Sequence, residues 1–269
     1  MFKQSIERYR PIVRFINKVD SKSNYTATEN VTLANIQKES NGVPGLPGYT
    51  NVRHGYNDAE MSCARTAGIT GALPEKYRKR AGGLLQVAPL TWRSFQAATK
   101  QPQITACQLF KQGEHDIWVQ LDAGMWAEKQ AWKTVVGKKF PSVSDLTDEN
   151  ILLFRLCYHA GSYAFKQQMS KAALAGFPET AQGLEQYNPQ WGHPDRPFKG
   201  AREVLAAYKD AIGPAPGPIP GPLPPDPIPY PIPVPPDPGK GTGGLALLVL
   251  GGLALLALAA GARGPRSAT

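Results

Sequence analysis

The chain predicts a mainly α domain followed by a long non-globular tail. Apolar residues recur at helical spacing in successive stretches between Pro11 and Ile212, strand-like alternation is scarce, and composition changes abruptly at Gly213. From Pro214 to Pro238 lie 14 of the 26 prolines, and Gly243 to Ala262 is an uncharged run of mostly Leu, Ala and Gly.

The elements follow in order. Ile12, Val13, Phe15, Ile16 and Val19 have helical spacing, with Pro11 suited to a first turn. Arg8, Arg10, Arg14 and Lys18 interrupt the apolar residues, so Met1 to Asp20 does not read as a secretory signal. A second helix runs from Glu29 to Ser40, with Thr28 as its N-cap and Asn41-Gly42 as its stop. Gly42 to Gly83 opens with Gly42, Pro44, Gly45, Pro47 and Gly48 and reads as a loop long enough to be functional or to hold small elements of its own. Further helices cover Thr91 to Lys100, about Ile117 to Val135, and Thr147 to His159, where Asp148 and Glu149 suit the first-turn dipole. Gly161 and Ser162 interrupt before Tyr163 to Ala175, and Ala201 to Ile212 is the last helix.

Residues 1–212 therefore read as the folded domain, 213–241 as a Pro-rich linker, 242–262 as a membrane span and 263–269 as a short basic tail. Proline at nearly every second position forbids helix and sheet and favours polyproline II, a semi-rigid arm of roughly 75 Å. The twenty apolar residues that follow would rise about 30 Å as a helix, the thickness of a bilayer core. Gly244, Gly251 and Gly252 suit close packing of such helices, hence possible self-association. Arg263 and Arg266 after the span, against Lys240 before it, point to a cytoplasmic C-terminus.

The formal charge is +9, of which the tail from Gly213 carries +1. A basic domain attracts polyanions such as nucleic acid, anionic lipid or the carboxylate-bearing bacterial wall. No arginine-rich tract or RNA-binding aromatic motif is present, so nucleic acid is not the expected partner. Cys63, Cys107 and Cys157 are odd in number, far apart and outside any metal-ligand spacing with the four histidines, so neither a disulfide framework nor a metal site is expected.

Chemistry concentrates in three short segments: Lys38-Glu39-Ser40, Gly82-Gly83-Leu84-Leu85-Gln86-Val87, and Tyr158-His159-Ala160-Gly161. Glu39 ends an apolar helix and faces a Gly-rich loop, a setting that can dry a carboxyl group and fit it for proton donation. In this order the segments resemble the Glu-Ser, Gly-Leu-Met-Gln and Tyr-Asn-Ala-Gly elements of the lysozyme-like soluble lytic transglycosylase family. The resemblance extends over about residues 10 to 212, with specific matching only in the three motifs.

That resemblance implies a lysozyme-like helical domain without cofactor or metal, acting on peptidoglycan glycan strands. Glu39 would be the single acid/base, cleaving the MurNAc-GlcNAc bond with a 1,6-anhydro product. Ser40 would orient Glu39 or contact substrate, Gln86 would supply polar contacts, and Tyr158 would line the sugar cleft. A further family Tyr near the domain's end corresponds to Tyr208, with Tyr187 as second choice. Leu85 stands for the usual Met and His159 for the usual Asn. The Glu39–Gly83 interval is longer than usual, implying an inserted subdomain or lid. Asp58 and Glu60 lie within it, and either one holding a water would make the enzyme a hydrolase, as goose-type lysozymes are. The other alternative is a tethered wall-binding protein without chemistry. A wall enzyme with this anchor suits a virion membrane, for wall degradation during phage genome entry, or a bacterial inner membrane facing the periplasm.

Overall fold

A computed structural model describes residues 3–48, 54–63, 71–101, 104–189, 191 and 197–212. The chain divides after Pro216 into two units, and the Pro-rich arm, the apolar span and the basic tail expected from the sequence all lie outside the described residues. Among the described residues no helix is long and apolar enough to cross a membrane.

The domain is mainly α. A 3-10 turn, Gln4–Tyr9, leads into α1 (Arg10–Ser21), then α2 (Glu29–Ser40). A small insert holds α3 (Asp58–Met61), β1 (Ser62–Cys63), β2 (Gly71–Ala72) and a 3-10 turn at Glu75–Tyr77. Then come α4 (Pro89–Thr99), a 3-10 turn at Ala106–Phe110, and α5 (Glu114–Val136). The last elements are α6 (Asp148–Ala160), α7 (Ser162–Leu174), α8 (Ala181–Tyr187) and α9 (Pro197–Ile212).

Most expected helices appear within a turn of their expected ends. Helix α8 was not expected, since seven residues give periodicity little to show. One expectation at α2 fails: Thr28 occupies the N-cap position, but its side chain makes no capping hydrogen bond. The helix is instead fixed by burial. Val31, Thr32, Leu33, Ala34, Asn35 and Ile36 are all buried, and consecutive residues feed different clusters. Val31 packs with Trp132 and Phe154, Leu33 and Ile36 with Leu84, Leu85 and Leu121, and Ala34 with Val204 and Ala207 of α9. Helix α2 is thus the axis of the domain, surrounded by α1, α5, α6 and α9, and its terminus arrives at a determined point. At that terminus Asn41 takes the left-handed conformation (φ 54°) and Gly42 follows at φ 74°. The reversal therefore begins one residue before the glycine.

Helix α5, about 35 Å long at 1.5 Å per residue, runs through the domain. Its Trp132 ring stacks on Phe154 of α6 with centroids 4.2 Å apart. Helix α6 begins as expected, with the Thr147 hydroxyl accepting from Asn150 N at 3.2 Å. Tyr56, Met61 and Leu73 of the insert share an apolar cluster with Trp92 and Phe95 of α4 and Leu109 of the following turn.

The cysteines require a correction. Cys63 and Cys107 form a disulfide with Cα atoms 5.7 Å apart, an ordinary separation for such a bond. It ties the insert to the 3-10 turn before α5, across 44 residues of sequence. Spacing alone is blind to this pairing because only the fold brings β1 against that turn. Cys157 is the odd one, buried and free.

Candidate active site

The last turn of α2 splits its side chains by direction. Lys38 faces outward and pairs with Glu203 of α9. Glu39 turns inward, 15 % exposed, and its Oε1 accepts a hydrogen bond from Arg155 Nη2 of α6. Ser40 is buried, and its hydroxyl donates to Ile36 O (3.1 Å) and accepts from Gly42 N (3.2 Å). That hydroxyl closes the helix, and its partners are backbone atoms rather than the Glu39 carboxylate.

The second segment forms a tight turn pinned by Gly82, which bridges to Pro47 on one side and to Val87 on the other. Leu84 and Leu85 are fully buried, which drives the turn against α5. Two glycines permit the approach. A Cβ on Gly83 (φ 82°) would meet Gln120 Cγ at 2.7 Å, and one on Gly124 would meet Leu85 Cβ at 2.4 Å. Gln120, fully buried on α5, ties the region together. Its Oε1 accepts from Gly45 N (3.1 Å) and Leu84 N (3.2 Å), while its Nε2 donates to Gln108 O (2.9 Å) and Lys111 O (2.7 Å). Gln86 itself sits at φ 49°, and its Nε2 donates to Leu46 O (2.9 Å) and Gly83 O (2.8 Å). The side chain expected to meet substrate is here a brace between the turn and the start of the insert.

Tyr158 supplies the link between segments. Its hydroxyl donates to Leu85 O, so the third segment bonds the second. Burial, followed by the negative charges of Glu39 and Glu128, pushes that hydroxyl well above the usual phenol range. Arg155, one turn earlier on α6, bonds Glu39 and places its Cζ 5.6 Å from the Tyr158 ring centroid. Behind them lies Glu128 of α5, buried, with Oε2 accepting from Thr32 Oγ1 (2.6 Å) and Oε1 from Asn35 Nδ2 (2.9 Å). Burial holds the Glu128 carboxyl above its ordinary range, against the lowering effect of Thr32 and Asn35.

Compared with protein-family models, curated proteins and solved structures, the chain matches none of them. The site therefore rests on its own geometry.

Glu39, the Leu85 carbonyl and Tyr158 converge from three distant parts of the chain. Tyr208 packs against Ala34 of α2 and against Val204 and Ala207 of α9. It lies five residues beyond Glu203 on α9, about 7 Å further along the helix, where its hydroxyl is raised by burial and then by the charge of Asp148 at the start of α6. Tyr187 packs against Phe177. In the insert, Asp58 pairs with Arg78, and Glu60 pairs with Arg93 while closing a capping box with Asn57.

The sequence reading missed Arg155, Glu128 and Gln120. One signal was present: Arg155 interrupts the apolar run Leu152-Leu153-Phe154-Arg155-Leu156-Cys157. A charge on a core-facing stripe is rarely buried unless it is paired.

Proposed function

We propose that the chain is a peptidoglycan lytic transglycosylase on a lysozyme-like helical domain, with Glu39 as its single acid/base. What supports this reading is that three segments, more than forty residues apart from one another, meet at Tyr158, whose hydroxyl bonds the Leu85 carbonyl and feels the charge of the partly buried Glu39 carboxylate. In the reaction Glu39 donates its proton to the departing glycosidic oxygen as the bond to C1 breaks. The carboxylate then takes the proton of the substrate's own C6 hydroxyl, whose oxygen bonds C1 and closes the 1,6-anhydro ring. Intramolecular attack needs no positioned water and gains from high effective molarity. Tyr158 shapes the cleft wall, and Gln86 holds the turn beside it.

The hydrolase alternative needs a second carboxylate to hold water. Of the residues that would have served, Glu60 is held by Arg93 and by its capping box with Asn57, while Asp58 lies 94 % exposed beside Arg78, which favours the transglycosylase. The domain would act outside the cytoplasm, anchored by the apolar span and extended on the Pro-rich arm, in a virion membrane or a periplasm-facing inner membrane. A disulfide between Cys63 and Cys107 suits such an oxidising setting.

The test is mass spectrometry of fragments released from purified sacculi by the full chain. Anhydro termini, one water lighter than reducing ends, are expected, together with loss of release in a folded Glu39→Gln variant. Reducing ends alone would establish the hydrolase. Unchanged release by Glu39→Gln would refute the assignment of the acid, and binding without release would leave a tethered wall-binding protein.

A further inference from the structure

The resting arrangement contains a conflict. To donate a proton Glu39 must carry one, and a guanidinium bonded to Oε1 competes for the same oxygen. The surroundings of Arg155 indicate how the conflict is resolved. Its side chain is 5 % exposed, yet only Nη2 is bonded; Nε and Nη1 are buried without a hydrogen-bond partner. Leaving buried donors unsatisfied is costly. A matching acceptor stands without a partner as well, since Asn35 Oδ1 is buried and unbonded. Asn35 and Glu39 are four residues apart, one turn along the same face of α2. The other end of the Asn35 amide bonds Glu128, whose carboxylate already feels the charge of Arg155.

We propose that Arg155 is a positioning residue with two berths, the carboxylate of Glu39 and the buried carboxylate of Glu128 beside Asn35 Oδ1, and that its passage from the first to the second releases Glu39 to act as acid. The proposal rests on the transglycosylase reading for its purpose, but not for its geometry. The two berths lie about one helical turn apart, roughly 5 Å, within the sweep of an arginine side chain. In the second berth the guanidinium donates to Glu128 and to Asn35 Oδ1. Protons balance. Buried Glu128 favours its proton while the guanidinium is at Glu39; on the swap Glu128 gives up a proton and Glu39 takes one, so the two carboxyls hold one proton throughout. The other charges facing this group stay engaged. Lys129 is bonded to Asp20, Lys38 to Glu203, and the Tyr158 hydroxyl to the Leu85 carbonyl.

The test is a double-mutant cycle on the full chain in detergent micelles, read first as Tm. Glu128→Gln keeps its local partners, because the amide oxygen accepts from Asn35 Nδ2 and the amide nitrogen donates to Thr32 Oγ1. With two berths, Glu39→Gln and Glu128→Gln each leave Arg155 an anion and cost only a few degrees. The double variant leaves a buried cation unpaired and loses roughly 10 °C beyond the sum of the singles. A double variant that does not fold while both singles do is the extreme form of that result. The excess vanishes in an Arg155→Met background. Additive Tm losses, or an excess that persists in Arg155→Met, overturn the proposal. On sacculi, Glu128→Gln lowers kcat about tenfold or more with KM within about twofold; an unchanged kcat also overturns it. A wild-type chain that releases nothing from sacculi would sink the transglycosylase reading instead, and the Tm cycle would still decide the two berths.

Discussion

Replacing Gln120 by leucine tests whether one buried amide holds the second motif in place. Leucine has nearly the same volume but cannot bond, so the four partners of Gln120 lose their contacts together. Leu84 N is buried and left without a partner, Gln108 O keeps the bond from Lys111 N (3.5 Å), and Gly45 N and Lys111 O lie in part-buried surroundings. Each buried orphan costs about 1–3 kcal/mol, and groups that can turn to water cost much less. Putting leucine methyls in place of the amide returns about 1 kcal/mol, which leaves a net destabilisation of about 2 kcal/mol. Urea unfolding measures it as a lower midpoint with an unchanged slope. On the proposed function, release from sacculi is expected to fall too, because the turn that carries Leu85 and Gln86 has lost its anchor on α5. A loss under about 1 kcal/mol with wild-type release would refute the role given to Gln120.

Three further perturbations probe other parts of the argument. Gly124→Ala puts a methyl 2.4 Å from Leu85 Cβ and 2.5 Å from its Cδ1; overpacking of this kind costs about 1–3 kcal/mol, and wild-type stability would show the approach of α5 to the turn to be looser than described. Breaking the Cys63–Cys107 bond by Cys107→Ala frees a loop across 44 residues of sequence, which chain entropy prices at about 4 kcal/mol; calorimetry of the oxidised wild type against the variant reads it, and equal midpoints would refute the link. Asp122 is pushed up to about 6, by burial first and by the charge of Asp20 second. A carboxyl raised on folding contributes stability below its unfolded value near 3.8 and loses it as pH rises through about 6. Asp122→Asn is therefore expected to stabilise the protein by about 2 kcal/mol at pH 8 and to change little near pH 3; equal effects at both pH values would contradict the burial of that carboxyl.

The helices were legible in the sequence because each answers to local rules. Pro11 starts α1, Thr147 caps α6, and the 3.6-residue apolar period runs through the stretches between. Glu39 was legible as a carboxyl at a helix end beside a Gly-rich loop, the Gly83 segment as a turn, and Tyr158 as an aromatic residue near the end of an apolar helix. What each side chain does there was not legible. Ser40 spends its hydroxyl on backbone two and four residues away, whereas Gln86 braces a loop through a carbonyl forty residues distant, a contact that only the fold creates. The disulfide, the Gln120 anchor and the guanidinium beside Glu39 all join elements more than thirty residues apart. Periodicity and motif spacing report the neighbours a residue has along the chain; packing around α2 decides the neighbours it has in space, and the charge on this carboxylate answers to the latter.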